Sequence, residues 1–395
     1  MRIGFVAPRA WPAVGGAESF LHHLARALAE EHEVSVVALA AETARGDEGR
    51  LWDSLCAPKP FAPFRDGGAA VVPLPLSPGR RAALLPLGFQ VVPGLRRYGY
   101  GRARVAAARW YAQVVGPVAA RALGEVDVVQ VWQSGFVAAA GVRAAELLGV
   151  PSVVMASLHP GSWGDDPASV SVYRRASAAA AQLEGEAEAF RQLGVPSERI
   201  RVTGACSPGV ATGSGSALRA RLGIDGPLVL FVGSRRPYKG ADLLAAATPE
   251  IAARVPGVHV ALVGPGVAPV AAHPALLDVG EVDESERAAW LDAADLLCLP
   301  SAGESFGIVV LEAWSVGTPV LTSDIPALRE LVESAGGGWT APREPAALAD
   351  AIVRALVDPD ELARRGERGR AAWAERYTPA AVAARFASLY EELRA

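Results

Sequence analysis

The run Leu299-Pro-Ser-Ala-Gly-Glu304-Ser-Phe-Gly307-Ile-Val-Val-Leu-Glu312-Ala313 decides how the chain is read. A short apolar strand ending at Leu299 meets Pro300, a glycine-punctuated loop follows, and a helix is predicted to start near Phe306 to Gly307. In an open parallel sheet, ligands sit beyond the carboxyl ends of strands, where loops lead into helix N-termini with unpaired N–H groups. Glu304 stands ahead of the helix and Glu312 about one and a half turns inside it. Their separation is roughly two helical turns, so both carboxylates can lie on one side of one ligand at different depths. Carboxylates accept paired hydroxyls, and the amides from Phe306 to Ile308 suit phosphate oxygens. Spacing alone favours two solvated surface glutamates. The neighbours of Glu312 favour a site, because Val309, Val310, Leu311, Ala313 and Trp314 make it interrupt an apolar stretch where an unpaired carboxylate is costly.

The same grammar extends in both directions. Short apolar runs alternate with longer helical patterns, the signature of βαβ units and a parallel sheet covered on both faces. Predicted strands in the first half are Ile3 to Ala7, Val34 to Leu39, Val126 to Val131, Ser152 to Ala156 and Ile200 to Thr203. A Pro/Gly/Ser-rich passage, Ser207 to Ser216, precedes a restart at Leu228 to Val232, Val258 to Val263, Leu296 to Leu299 and Pro319 to Leu321. From about Pro345 to Leu393 the pattern is helical. A length of 395 residues exceeds one ordinary hydrophobic core, so two domains with a cleft between them are expected.

Two further segments occupy strand-to-helix positions. After the first strand come Gly15 and Gly16, where paired glycines permit close backbone approach to an anion, or simply make a turn. After Leu228 to Val232 comes Gly233-Ser-Arg235-Arg236-Pro-Tyr-Lys239-Gly240, a cationic loop before a helix predicted over Ala241 to Ala247. Three positive charges against a helix N-terminus oppose its dipole, which makes a bound anion such as a pyrophosphate the better explanation than solvated charge.

On these residues the chain resembles the family-four retaining glycosyltransferases of the GT-B fold. The resemblance runs through Gly15-Gly16-Ala17-Glu18, Val232-Gly233 with Lys239-Gly240, Val263-Gly264-Pro265-Gly266, Pro300-Ser301, Glu304-Ser305-Phe306-Gly307 and Glu312-Ala-Trp-Ser-Val-Gly317-Thr-Pro319-Val320. It implies two Rossmann-like domains facing each other across a cleft: an acceptor-binding domain at 1–208, a nucleotide-sugar-binding domain at 209–375, and a C-terminal helix at 376–395 crossing back to the first. Carried over residue by residue, the resemblance implies catalytic roles for Glu304, Lys239, His159 and Arg235. It implies donor contacts from Gly15, Gly16, Gly233, Arg236, Gly264, Val282, Ser305, Phe306, Gly307, Ile308, Val309 and Glu312. Glu304 faces the donor-sugar hydroxyls, Glu312 the ribose, and Lys239 with the amides of Phe306 to Val309 the pyrophosphate. The implied co-substrate is a nucleotide-diphosphate sugar, UDP before GDP, with no separate cofactor and no metal.

The implied reaction is retaining transfer of a hexosyl group to a hydroxyl acceptor, by front-face attack without an enzymic nucleophile. The alternatives are a GT-B phosphorylase, a sugar-nucleotide epimerase, or a non-catalytic nucleotide-binding relative. This chain departs from the pattern in having Ser234 where the family commonly has arginine, so either Arg235 or Arg236 is expected to supply that cation. It also has Val131-Trp-Gln-Ser-Gly135 where many relatives carry a histidine. Asp358-Pro-Asp360 mimics a DxD metal motif but reads as a turn and helix cap.

The remaining features set limits. Apolar residues at 51% and charged residues at 20% fit a packed protein, and a net charge of -4 gives no general reason for nucleic acid. Cys56, Cys206 and Cys298 include no CxxC, so neither a disulfide framework nor a zinc site is expected. The start MRIGFVAP reads as a strand rather than a leader, and no apolar run is long enough to span a membrane, so a cytoplasmic location is expected. From Gly67 to Gly124 there is no Asp or Glu, while arginines stand at 80, 81, 96, 97, 102, 104, 109 and 121 among Leu84, Leu85, Phe89, Tyr98, Tyr100, Trp110 and Tyr111. This segment suits peripheral contact with an anionic membrane or an acidic acceptor, or reflects an arginine-rich composition.

Overall fold

Runs such as Phe5 to Val6 and Leu228 to Val232 are apolar at successive positions rather than at alternate ones, which is how strands read when helices cover both faces. The computed structural model describes residues 1–13, 15–41, 61–90, 102–159, 161, 163–266 and 271–395, and gathers these runs into two sheets. The first contains β1 (Arg2–Arg9), β2 (Glu33–Ala40), β3 (Phe64–Asp66), β4 (Ala69–Pro73), β5 (Val128–Trp132), β6 (Ser152–Met155), β7 (Ala178–Ala181) and β8 (Ile200–Val202), in the order β3-β4-β2-β1-β5-β6-β7-β8. Apart from the antiparallel β3–β4 hairpin, its strands pair in parallel.

The second sheet contains β9 (Leu228–Val232), β10 (His259–Val263), β11 (Leu276–Gly280), β12 (Leu296–Leu299), β13 (Val320–Ser323) and β14 (Gly338–Ala341), in the order β11-β10-β9-β12-β13-β14. All of its pairs are parallel. Each sheet carries its own apolar core.

The chain divides into Met1–Ala205 together with Pro379–Ala395, and Cys206–Thr378. The last helix, Pro379–Arg394, belongs to the first unit for stated reasons. The Tyr390 hydroxyl donates to Gln130 Oε1 at 2.9 Å in a buried setting, Arg385 Nε donates to the Thr203 carbonyl at 2.8 Å, and Phe386 meets Phe20 edge-on at 6.4 Å.

Several elements lack the sequence signal expected of them. β7 is four buried alanines, a strong helix-forming composition, yet ladder pairing with β6 and β8 makes it a strand. The long helical pattern at the end is three helices, Pro345–Leu356, Pro359–Arg376 and Pro379–Arg394, each opened by a proline at its first position. Asp358 caps the second of these by accepting the Glu361 N–H at 3.0 Å. Among the described residues no helix is long and apolar enough to cross a membrane. Cys206 and Cys298 are buried free thiols, and burial pushes the Cys298 thiol up to about 12. Cys56 and the arginines at 96 and 97, with Tyr98 and Tyr100, lie outside the described residues.

Candidate functional site

The connection leaving β9 runs to β10 on one side, and the chain later returns to β12 on the other. The neighbouring ends of β9 and β12 are therefore the switch point of this sheet, where an open α/β sheet leaves room for a ligand. Lys239 follows β9 and Glu304 follows β12, and the fold brings them together: Lys239 Nζ lies 2.5 Å from Glu304 Oε1. The Ser301 hydroxyl donates to the same oxygen at 2.8 Å. The two loops also meet through their backbones, with the Ala302 N–H donating to the Tyr238 carbonyl at 2.6 Å. Gly240 is required here on two counts. Its φ is 77°, and a Cβ would stand 2.3 Å from the Pro300 carbonyl oxygen.

Gly307, at φ 93°, ends the second loop and starts the helix Ile308–Ser315. No side chain caps this helix and its first turn holds no acidic residue, so its leading N–H groups meet no built-in anion. Phe306 is buried against the Tyr377 ring, while Ser305, Ile308 and Val309 are half-buried. Glu312, within this helix, has a side chain only 12% exposed and is paired with Arg287 Nη1 at 2.5 Å. Burial pushes its carboxyl above the ordinary value, against the pull of Arg287. Glu304 and Glu312 are thus held by different cations, one carried on a loop and the other on the helix Glu284–Ala293.

Arg235 lies in the loop after β9. Its side chain is 3% exposed, its Nη2 donates to the Leu262 carbonyl at 3.0 Å, and the guanidinium is paired with Asp278 of β11. Arg235 thus ties the loop after β9 to the β10–β11 edge. Arg236 is exposed. Gly233 and Gly264 are packed backbone to backbone, and a Cβ on Gly264 would lie 2.0 Å from the Gly233 carbonyl oxygen. Val282 is half-buried just ahead of the helix Glu284–Ala293, whose cap Asp283 accepts the Glu286 N–H at 2.8 Å.

The first unit holds Gly15, Gly16 and His159. Gly15 precedes the helix Gly16–Leu28 and lies under Glu18, whose Oε2 would be 2.2 Å from a Cβ there. Glu18 is 3% exposed and pairs with Arg9 at 2.6 Å. His159 follows β6. Its Nδ1 donates to the Ser157 carbonyl at 3.0 Å, and its backbone exchanges hydrogen bonds with Trp163 at 2.9 and 2.8 Å. The buried Glu186 accepts the Leu158 N–H at 2.7 Å, fixing the residue before it.

Two family descriptions match this architecture: "Glycosyl transferase 4-like domain" over residues 15–206 and "Glycosyl transferases group 1" over residues 226–358. The chain belongs to the family-four glycosyltransferases. A phosphatidyl-myo-inositol mannosyltransferase of Mycolicibacterium smegmatis is 26% identical across 99% of this chain and 94% of its own length. Its Mycobacterium tuberculosis counterpart is 36% identical across 42% of this chain and 47% of its own, and a Nocardia farcinica D-inositol 3-phosphate glycosyltransferase is 37% identical across 46% of each. The matched stretch thus spans about half the length of the latter two relatives. Among solved structures, sucrose-phosphate synthase of Thermosynechococcus elongatus superposes with a TM-score of 0.71 at 19% identity over 100% of this chain and 99% of its own. Anabaena HepE in complex with UDP gives 0.70 at 19% identity over both full chains. These structures establish the GT-B fold.

Sequence reading of this family-four chain missed Ser301, Arg287 and Asp278. The only available signal was the need of Glu312 for a cation; nothing in sequence spacing pointed to Arg287, 25 residues away.

Proposed function

We propose that this chain transfers a hexosyl group, with retention and without a metal, from a nucleoside-diphosphate sugar to a hydroxyl acceptor, UDP being the first donor to test. The observation that carries the reading is the Lys239–Glu304 pair at the adjoining ends of β9 and β12, beside an uncapped helix start. Lys239 and the first-turn amides of the Ile308 helix stabilise the departing diphosphate, Glu304 accepts hydroxyls of the donor sugar, and Glu312, kept in place by Arg287, accepts those of the ribose. Either Arg235 or Arg236 supplies the arginine offered to phosphate. The first unit binds the acceptor.

The three relatives named above act, by name, on inositol carrying phosphate, which supports an anionic cyclitol acceptor for this chain. The exposed Arg109, with Leu85 72% exposed and Trp110 50% exposed, supports contact of the same domain with an anionic bilayer surface. A thermal-shift panel of UDP-, GDP-, ADP- and TDP-sugars tests the donor, since a ligand binding only the native state raises its Tm. One nucleotide is expected to shift the wild type, and Glu304→Ala to abolish transfer to inositol phosphates and phosphatidylinositol. Absence of any shift overturns the donor site. Phosphate-dependent glycoside cleavage without nucleotide would instead identify a phosphorylase.

A further inference from the structure

Arg343 lies between β14 and the helix Pro345–Leu356, two strand positions away from β12 in the sheet order. Its Nε donates to the Pro300 carbonyl at 2.9 Å and its Nη2 to the Pro237 carbonyl at 3.1 Å. Pro300 follows the last residue of β12, beyond its ladder with β13, which ends at Leu299–Thr322. Pro237 opens the single 3-10 turn Pro237–Lys239, too short to use all of its own carbonyls. One planar guanidinium thus engages both oxygens through two donors in a fixed geometry. Lys239 is two residues beyond one anchor and Glu304 four beyond the other. The Tyr238–Ala302 backbone bond and the close packing of Gly240 on Pro300 lie between them. From the far side, the Ser323 hydroxyl donates to the Ser301 carbonyl.

We infer that Arg343 is a positioning residue for transfer: it clamps the loops after β9 and β12 so that Lys239 and Glu304 keep one mutual geometry while the donor binds and the diphosphate leaves. It touches neither reacting group. Its effect passes through two backbone carbonyls, so losing it loosens the pair without removing a charge from the pair itself. A lysine offers three rotatable donors at one point rather than a rigid fork, so it holds the two carbonyls less firmly. Misplacing a catalytic group by about 1 Å costs up to roughly 100-fold in rate, which sets the scale.

The inference rests on the reading of Lys239 and Glu304 as donor-site residues, and the experiment separates the two. Hydrogen exchange needs no substrate: Arg343→Ala is expected to speed exchange at the Ala302 amide and through 238–239 and 301–305, with Arg343→Lys intermediate and β9, β10 and β13 still protected. With the nucleotide sugar chosen by the panel, Arg343→Ala is expected to lower kcat at least ten-fold with KM for the donor within about three-fold. In a Lys239→Met background the same substitution is expected to add little, because the group it positions is gone. Wild-type exchange at those amides overturns the clamp. So does a loss of kcat that is equally large with and without Lys239, which would mark a structural role. Full activity of Lys239→Met overturns the site reading instead and leaves the exchange result to decide the clamp.

Discussion

Two helix starts in the first unit are filled by the chain itself, whereas the helix start beside Glu304 in the second unit is not. The helices Gly16–Leu28 and Glu184–Gln192 both carry a buried glutamate at the third position. Glu18 sits over Gly15 and pairs with Arg9, and Glu186 reaches back to the Gln182 N–H at 2.6 Å and the Leu158 N–H at 2.7 Å. Each places a carboxylate where a helix dipole and unpaired amides favour an anion. The Ile308 helix has glycine before it, apolar residues in its first turn and a cation on the adjacent loop. The first two helices thus carry acidic residues in their first turns, whereas the Ile308 helix carries none and has the Lys239–Glu304 pair ahead of it.

The largest expected effect comes from removing the cation at the open end. Lys239→Met should lower kcat by roughly 10²- to 10³-fold, the usual cost of losing one donor to a developing negative charge. Steady-state rates with the panel's donor check this, and a variant within about three-fold of wild type would remove the contrast between the two kinds of helix start.

The filled ends should show themselves in stability rather than rate. Burial raises the Glu186 carboxyl from 4.5 to about 7. The native state then holds this proton more tightly than the unfolded chain does, so the contribution is fully present below the ordinary glutamate value and is lost as pH rises through about 7. The swing is on the order of 3 kcal/mol. Urea midpoints measured at about pH 5 and about pH 8 should fall further with rising pH in the wild type than in Glu186→Gln. Parallel slopes for the two proteins would show that Glu186 does not carry the effect.

How much of this was visible in the sequence depends on the range of the interaction. Local grammar gave Leu228–Val232 and Leu296–Leu299 their observed bounds, and the Asp358 cap was readable because cap and amide lie three residues apart. The strand β7 was hidden because its alanines have no β signal of their own. Glu304, Lys239 and Glu312 could be named from type and setting, but their partners could not. Arg287 and Arg343 bond across 25, 43 and 106 residues, distances that only the sheet order closes. Arg235 shows the same limit: its pairing with Asp278, on a strand two places away, is invisible in the loop that carries it.

The open helix start can be converted toward the filled kind. Val309 is half-buried at its second position, so Val309→Glu puts a carboxylate in the first turn and Val309→Gln puts a neutral group of the same shape there. The acid suits the helix dipole but competes with the donor diphosphate. Isothermal titration should give about ten-fold weaker nucleotide binding for the glutamate than for the glutamine variant, with Tm no lower. Equal affinities would mean that the diphosphate is held elsewhere.

The reverse conversion is the smallest in effect. Glu18→Gln keeps the shape that fits over Gly15 but removes the negative charge, leaving Arg9 and the helix start without an anion. Arg9 is 24% exposed, so water compensates much of the loss, and the expected destabilisation is only about 1 kcal/mol. The more telling measurement is Tm against inorganic phosphate at constant ionic strength. A vacated anion position binds phosphate in the native state only, so Tm of Glu18→Gln should climb with phosphate while that of the wild type should stay flat. If the two proteins respond alike, Glu18 does not occupy the anion position of its helix, and the first unit's helix start is then as open as the second unit's.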